Sequence, residues 1–153
     1  MSSRHKIEGT ILGLDWGKKS VGVATSDSEG LATTPHAVFK RSPLGSENFW
    51  VLETADKKFL REFIEEHECG GIVLGEPVAL DGNKTEGSRG AESLKEQLVK
   101  EFNLPVFLVN ESLTSWEVKE TKNKLPKSRR EHFEQNTDSY VAAHLIELFF
   151  KIS

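Results

Sequence analysis

Two short apolar runs, "TILGLD" at residues 10–15 and "SVGVATS" at residues 20–26, are joined by only four residues, "WGKK". Runs of this length suit buried strands better than helices, and so short a connection predicts a hairpin. "GLATTPHAVF" (30–39) reads as a third strand, partly broken by Pro35. "DKKFLREFIEEH" sets Phe59, Leu60, Phe63 and Ile64 on one helical face, and "GGIVLG" (70–75) is a short apolar strand. "AESLKEQLVKEF" repeats the helical stripe with Leu94, Leu98 and Phe102, and "LPVFLVNE" (104–111) is another strand. "SLTSWEVKETKNKL" reads as a short helix and "NTDSYVAAHLIELFFKI" as a final, strongly apolar one. The order β-β-β-α-β-α-β-α predicts an α/β fold, a mixed sheet with helices on its faces. The strands near 11–15, 71–75 and 106–109 are expected at its centre, because they are apolar throughout.

A chain of 153 residues, 37% of them apolar, suits one domain with one real core. Residues 1–9 read as an N-terminal tail and 10–152 as the domain. No apolar run approaches the roughly 18 residues that would span a bilayer, so no membrane partner is expected. The N-terminus lacks the apolar stretch of a signal peptide, and Cys69 is the lone cysteine, which excludes an intramolecular disulfide. Both observations point to the cytoplasm. The net charge of −4 weighs against a general nucleic-acid binder. The charge is uneven, however. "KNKLPKSRR" (122–130) carries five basic residues and no acid, and such a patch can hold phosphates on an acidic protein.

The apolar strands end in polar chemistry. The first stops at Asp15, the next runs into Glu76, and the last ends at Asn110 and Glu111. If these strands are parallel, the acids gather outside their carboxyl ends, where open α/β sheets bind ligands. In the final helix, steps of three and four from Asp138 reach Val141, Ala142, Leu145 and Phe149, which turns Asp138 toward the sheet. Tyr140, His144, Glu147 and Lys151 form the polar stripe. Converging carboxylates repel one another, and a divalent cation relieves that repulsion. An all-oxygen donor set suits Mg²⁺ or Mn²⁺ over zinc. Two such ions about 4 Å apart activate water and stabilise the leaving oxygen in phosphodiester hydrolysis. Lys18, Lys19, Lys84, Arg89, Lys127, Arg129 and Arg130, all in predicted loops, are candidate phosphate contacts. Singly, each feature has a plainer explanation: Asp15 as a turn former, Asp138 as a first-turn acid, Glu111 as a helix cap, the basic run as a solvated loop. Only the joint pattern favours a metal site.

"LGLDWGKKSVGVATSD", "IVLGEPVALDG", "NESLTS" and "DSYVAAHLIE" occur in the order found in YqgF-type proteins, which this chain resembles over about residues 10–150. That family is associated with pre-16S rRNA nuclease and Holliday-junction resolvase activity on a ribonuclease H-like fold. The resemblance implies an acidic triad holding Mg²⁺ or Mn²⁺, with two ions expected. Asp15 matches the acid ending the first strand, Glu111 the acid of the segment that usually reads Asp-Glu-Arg, and Asp138 the acid opening the last helix. The Leu-Thr that usually follows is present at 113–114, which adds Thr114 to the expected substrate contacts. Lys127, Arg129 and Arg130 match a basic loop before the final helix. The chain departs from the family at Trp16, where proline is usual, at Ser112, where arginine is usual, and at Glu76, where an apolar residue is usual. The segment "DGNKTEGSRG" looks longer than usual.

The implied activity is a phosphodiester nuclease acting on structured RNA at the pre-16S rRNA 5′ end. The alternative is branched DNA as substrate, for which a resolvase would need a symmetric dimer; monomer and homodimer both stand open. Two other classes compete. "GLDWGKKSVGVA" also resembles the phosphate hairpin of actin-like kinases, but 153 residues leave room for only one of the two halves that make their nucleotide cleft. A non-catalytic nucleic-acid-binding module fits the missing arginine and the negative charge, and the three retained acids argue against it.

Overall fold

The hairpin forms where the sequence places it. In the computed structural model, which describes residues 7–41, 49–77, 83, 85–113, 120 and 122–152, strand β1 is Thr10–Trp16 and β2 is Ser20–Ser26. They pair antiparallel, with Asp15 opposite Gly22 and Trp16 opposite Val21. Strand β3, Thr33–Lys40, adds to β2 with a register shift beside Ala24, opposite Pro35. Proline is tolerated there because β3 is an edge strand.

Helix α1 (Thr54–His67), strand β4 (Cys69–Glu76), helix α2 (Glu86–Phe102) and strand β5 (Val106–Asn110) follow. Both helices end on a left-handed residue, Glu68 and Asn103, which turns the chain back toward the sheet. A single 3₁₀ turn spans Glu111–Leu113. Helix α3, Lys127–Gln135, meets helix α4, Thr137–Ile152, at Asn136. The sheet order is β3-β2-β1-β4-β5, with β1, β4 and β5 mutually parallel. The expectation that all three apolar strands are central holds for β1 and β4 and fails for β5, which is an edge strand. Its adjacent residues Phe107 and Leu108 are half-buried, one against each core layer, so apolar composition reflects contact with the helices rather than a place inside the sheet.

The strand alternation divides the core. Leu12, Leu14, Val21, Val23, Ile72 and Leu74 face α1 and α2, where Leu60, Leu94 and Leu98 cover them. Ile11, Ala24, Val73 and Val109 face α4, which buries Ala142, Leu145, Ile146 and Phe149 against them. Each fully buried Leu or Ile contributes about 1.5–3 kcal/mol. Ile7, inside the stretch read as a tail, joins this second layer. The buried face of α4 is wider than the stripe predicted for it, taking in Ser139, Ala143 and Leu148, while Val141 is only partly covered.

Among the described residues, no helix is long and apolar enough to cross a membrane. The "KRSPLGSEN" loop beyond Arg41 up to residue 48, and residues 114–119 of the helix expected around Trp116, lie outside the described residues.

Candidate active site

Glycines bring α4 down onto the hairpin. A Cβ at Gly13 would stand 2.6 Å from the Ala142 carbonyl oxygen, and one at Gly22 would overlap the backbone of Asp138. The first turn of α4 therefore rests on β2 beside Asp15, since Asp15 and Gly22 are cross-strand partners. The parity of β1 puts Asp15 on the α4 side with Ile11 and Gly13. Glu111 reaches the same place from β5: a Cβ on Gly75 would lie 2.5 Å from Glu111 Oε2 and 3.1 Å from Leu145 Cδ1. Asp15, Glu111 and Asp138 thus converge at the carboxyl ends of the parallel strands, on the face covered by α4.

The electrostatics show the same convergence. Asp15 is pushed from the ordinary 3.8 up to about 8, first by burial, then by the charges of Asp138 and Glu111, and by a side-chain hydrogen bond with Asp138. Burial also raises Glu111. A carboxyl that titrates near 8 carries its proton at neutral pH, so Asp15 is the donor to Asp138. Ser20 Oγ donates a second hydrogen bond to Asp138 Oδ2, 2.9 Å away.

Three carboxylates, oxygen donors only, suit a hard divalent cation, whose charge would replace the proton on Asp15. They do not form a closed cage as they stand: among the described residues, no group of three or more His, Cys, Asp or Glu side chains is arranged to hold an ion.

Glu76 ends β4 half-buried and opposite Asn110. Asn110 Oδ1 accepts from the Ser112 backbone N–H at 2.9 Å and from Ser112 Oγ at 2.7 Å. Ser112, at the place of the family's arginine, thus shapes the turn that launches Glu111. His144 pairs with Glu147 at 3.0 Å, and Thr33 Oγ1 donates to the same Glu147, so Glu147 ties α4 to β3.

The expected phosphate contacts separate into groups. Lys18 and Lys19 are exposed on the β1–β2 turn, next to Asp15. Arg89 is not in a loop: α2 begins at Glu86, and Arg89 is exposed in its first turn. Its helix is anchored by a capping box of Thr85 and Ser88, whose hydroxyls both reach the Pro77 carbonyl just after β4. Lys127, Arg129 and Arg130 are likewise helical rather than looped, forming the exposed first turn of α3. That turn holds no acid, so the basic side chains reinforce the positive end of the helix dipole. Lys84 and Thr114 lie outside the described residues.

Trp16, a departure from the family pattern in the sequence, is a packing residue, and its partner Arg41, with Asp56, went unread. Trp16 is buried on the face opposite α4, donating from Nε1 to the Phe49 carbonyl at 2.7 Å. Arg41 lies over its ring, 4.2 Å from the centroid, and pairs with Asp56. No local spacing links residues 16, 41 and 56, so the sequence does not join them.

The family model described as RuvX, Holliday junction resolvase, matches residues 9–152. The chain belongs to the RuvX family. Among RuvX relatives, a protein of Thermosynechococcus vestitus provisionally named pre-16S rRNA nuclease is 33% identical over 138 residues, 90% of this chain and 83% of that protein. A protein of Novosphingobium aromaticivorans with the same provisional name is 30% identical over 139 residues, covering 91% and 83%. The match to a Wolbachia relative takes in 69% of this chain and 62% of that protein. These names and the RuvX description support nuclease function. In overall fold the chain is similar to Thermus thermophilus RuvC in complex with Holliday junction substrate, with a TM-score of 0.54 at 13% identity over 95% of this chain and 97% of that one. The ribonuclease H-like α/β fold expected from the sequence is the one observed.

Proposed function

We propose that this RuvX protein is a metal-dependent endonuclease that cleaves structured RNA at the 5′ end of pre-16S rRNA in the cytoplasm, with Asp15, Glu111 and Asp138 as catalytic carboxylates. The observation that supports this most is the meeting of the three half-buried acids at the carboxyl ends of β1, β4 and β5, with Asp15 raised to about 8. Such a cluster is unfavourable alone and suits a site that takes up cations.

Asp15, Glu111 and Asp138 would hold Mg²⁺ or Mn²⁺, one ion or two. When bound, the metal supplies an activated water and charge for the leaving oxygen. The protein's own part is positional. Asp15 sits on a strand whose neighbours are paired on both sides, and Ser20 orients the Asp138 carboxyl. The proton that Asp15 holds against Asp138 would be displaced by a bound cation. Lys18, Lys19 and Arg89, at the same edge, would take phosphate oxygens near the cut. Lys127, Arg129 and Arg130 would take phosphates farther along. Lys84 and Thr114 join them on sequence grounds alone. Contacts of this kind position a backbone and carry little base readout.

Cleavage of branched DNA is the second reading, favoured by the description of the RuvX family. Purified protein is incubated with pre-16S rRNA, four-way junction DNA and duplex controls, with Mn²⁺ or with chelator. Mn²⁺-dependent cleavage of the rRNA precursor, lost in Asp15→Asn, is expected. Preferential cutting of the junction would move the substrate to DNA, and wild type indistinguishable from Asp15→Asn would remove the proposed site.

A further inference from the structure

Resting on the nuclease reading above, we infer that Arg41 is a positioning residue for the carboxylate site: it locks the Gly17–Ser20 turn in the one placement from which Ser20 can hold Asp138.

An arginine side chain has five N–H donors in a rigid fork. All five of Arg41 are used. Nε donates to Asp56 Oδ1 at 3.1 Å, and Nη2 to Asp56 Oδ2 and the Val51 carbonyl, both at 3.0 Å. Nη1 donates to the Gly17 carbonyl at 2.8 Å and the Phe49 carbonyl at 3.1 Å. The ion pair is almost fully buried, with 1% and 3% of the two side chains exposed. The guanidinium also stacks on Trp16, whose Nε1 shares the Phe49 carbonyl with it.

A buried ion pair is weak evidence of net stability, because desolvation offsets the attraction. Where its bonds lead says more. One of them grips the turn beside Asp15, the Nη1 bond to Gly17 O, and the Arg41 backbone N–H adds a second hold on Lys19 O at 2.7 Å. The turn itself is closed by the Gly17 N–H donating to Ser20 O at 2.9 Å. Ser20 then donates from Oγ to Asp138. The opposite end of the guanidinium is fixed by Asp56, which completes the capping box of α1 by accepting the Glu53 N–H at 2.9 Å. A rigid helix is thereby tied, through Arg41, to the loop that aims one carboxyl and presents Lys18 and Lys19. Trp16 is the floor of this lock, which accounts for an indole where the family usually has proline.

The test is a double-mutant cycle on Mn²⁺-dependent cleavage at 20 °C with Arg41→Lys, Ser20→Ala and both together. Lysine keeps the charge and loses the fork. Each single variant is expected to lower kcat about tenfold, in line with the loss that small misplacements of reacting groups cause. The double variant is expected to be no slower than Arg41→Lys, because both act through one contact. Losses that multiply, or a folded Arg41→Lys with wild-type kcat, would overturn the inference. If Arg41→Lys does not fold, Trp16→Phe takes its place, since it removes the indole donor to Phe49 and keeps a ring beneath the guanidinium. Amide exchange of the metal-free variant gives a readout that needs no activity. Exchange at Gly17 and Arg41 should accelerate at least tenfold more than at Leu145, and uniform acceleration would mean a merely structural role. Absence of cleavage by wild type defeats the nuclease reading and leaves the exchange data to decide this one.

Discussion

Replacing Asp15 by asparagine is expected to make the metal-free protein more stable while abolishing its cleavage activity. Asp15 is raised to about 8 in the folded chain, against an ordinary 3.8. A group whose pKa rises on folding contributes stability that is intact below the unfolded value and lost as pH climbs through the folded one. Between 3.8 and about 8, the native state keeps a proton that the unfolded chain has released. Each pH unit in that window removes about 1.36 kcal/mol. At pH 7 the loss is about 4 kcal/mol, and above pH 8 it levels off near 6 kcal/mol. Asparagine is neutral at every pH, has nearly the same shape, and donates to Asp138 as the protonated acid does. Urea unfolding in EDTA at pH 4, 6, 7 and 8 measures the difference. The variant should match wild type near pH 4 and exceed it by about 2–4 kcal/mol at pH 7, with the gap widening toward pH 8. An equal pH slope for both proteins, or a variant less stable at pH 8, would refute the placement of Asp15 in a half-buried acidic cluster.

Metal loading should show the same proton: at pH 7, Mn²⁺ binding followed by calorimetry in two buffers is expected to release about one proton from wild type and none from Asp15→Asn. Gly22→Ala puts a methyl group against the backbone of Asp138. It should destabilise by about 1–3 kcal/mol and lower cleavage further than its melting temperature explains, because α4 carries Asp138 away as it shifts. Replacing Lys127, Arg129 and Arg130 together by alanine should flatten the dependence of log affinity on log salt by about two, leaving kcat intact; an unchanged slope would place α3 outside the nucleic-acid path.

The three acids were legible in the sequence because each stands at the end of a pattern: two at the ends of apolar strands, one at the head of an apolar helical stripe. Period and punctuation are local properties, and local properties survive in a single chain. The edge position of β5 was not legible, since covering helices make an edge strand as apolar as a central one. The basic run 127–130 looked like a loop because Pro126 and the absence of apolar residues hide a helix; α3 buries only Phe133, which packs against Tyr140. Arg41 was hidden for a different cause: the side chain's partners, Gly17, Phe49, Val51 and Asp56, all lie eight or more residues away in the chain.

What the sequence determined by itself was the order of elements, the hairpin and the candidate carboxylates, because strand and helix periods and turn chemistry are written within a few residues. Tertiary structure decided that Asp15 and Asp138 are hydrogen-bonded, which strand lies at the edge, and that Arg41 stacks on Trp16 behind the β1–β2 turn. These depend on contacts between residues far apart in the chain, such as Asp15 with Asp138 and Trp16 with Phe49, where burial turns an ordinary aspartate into an acid of about 8.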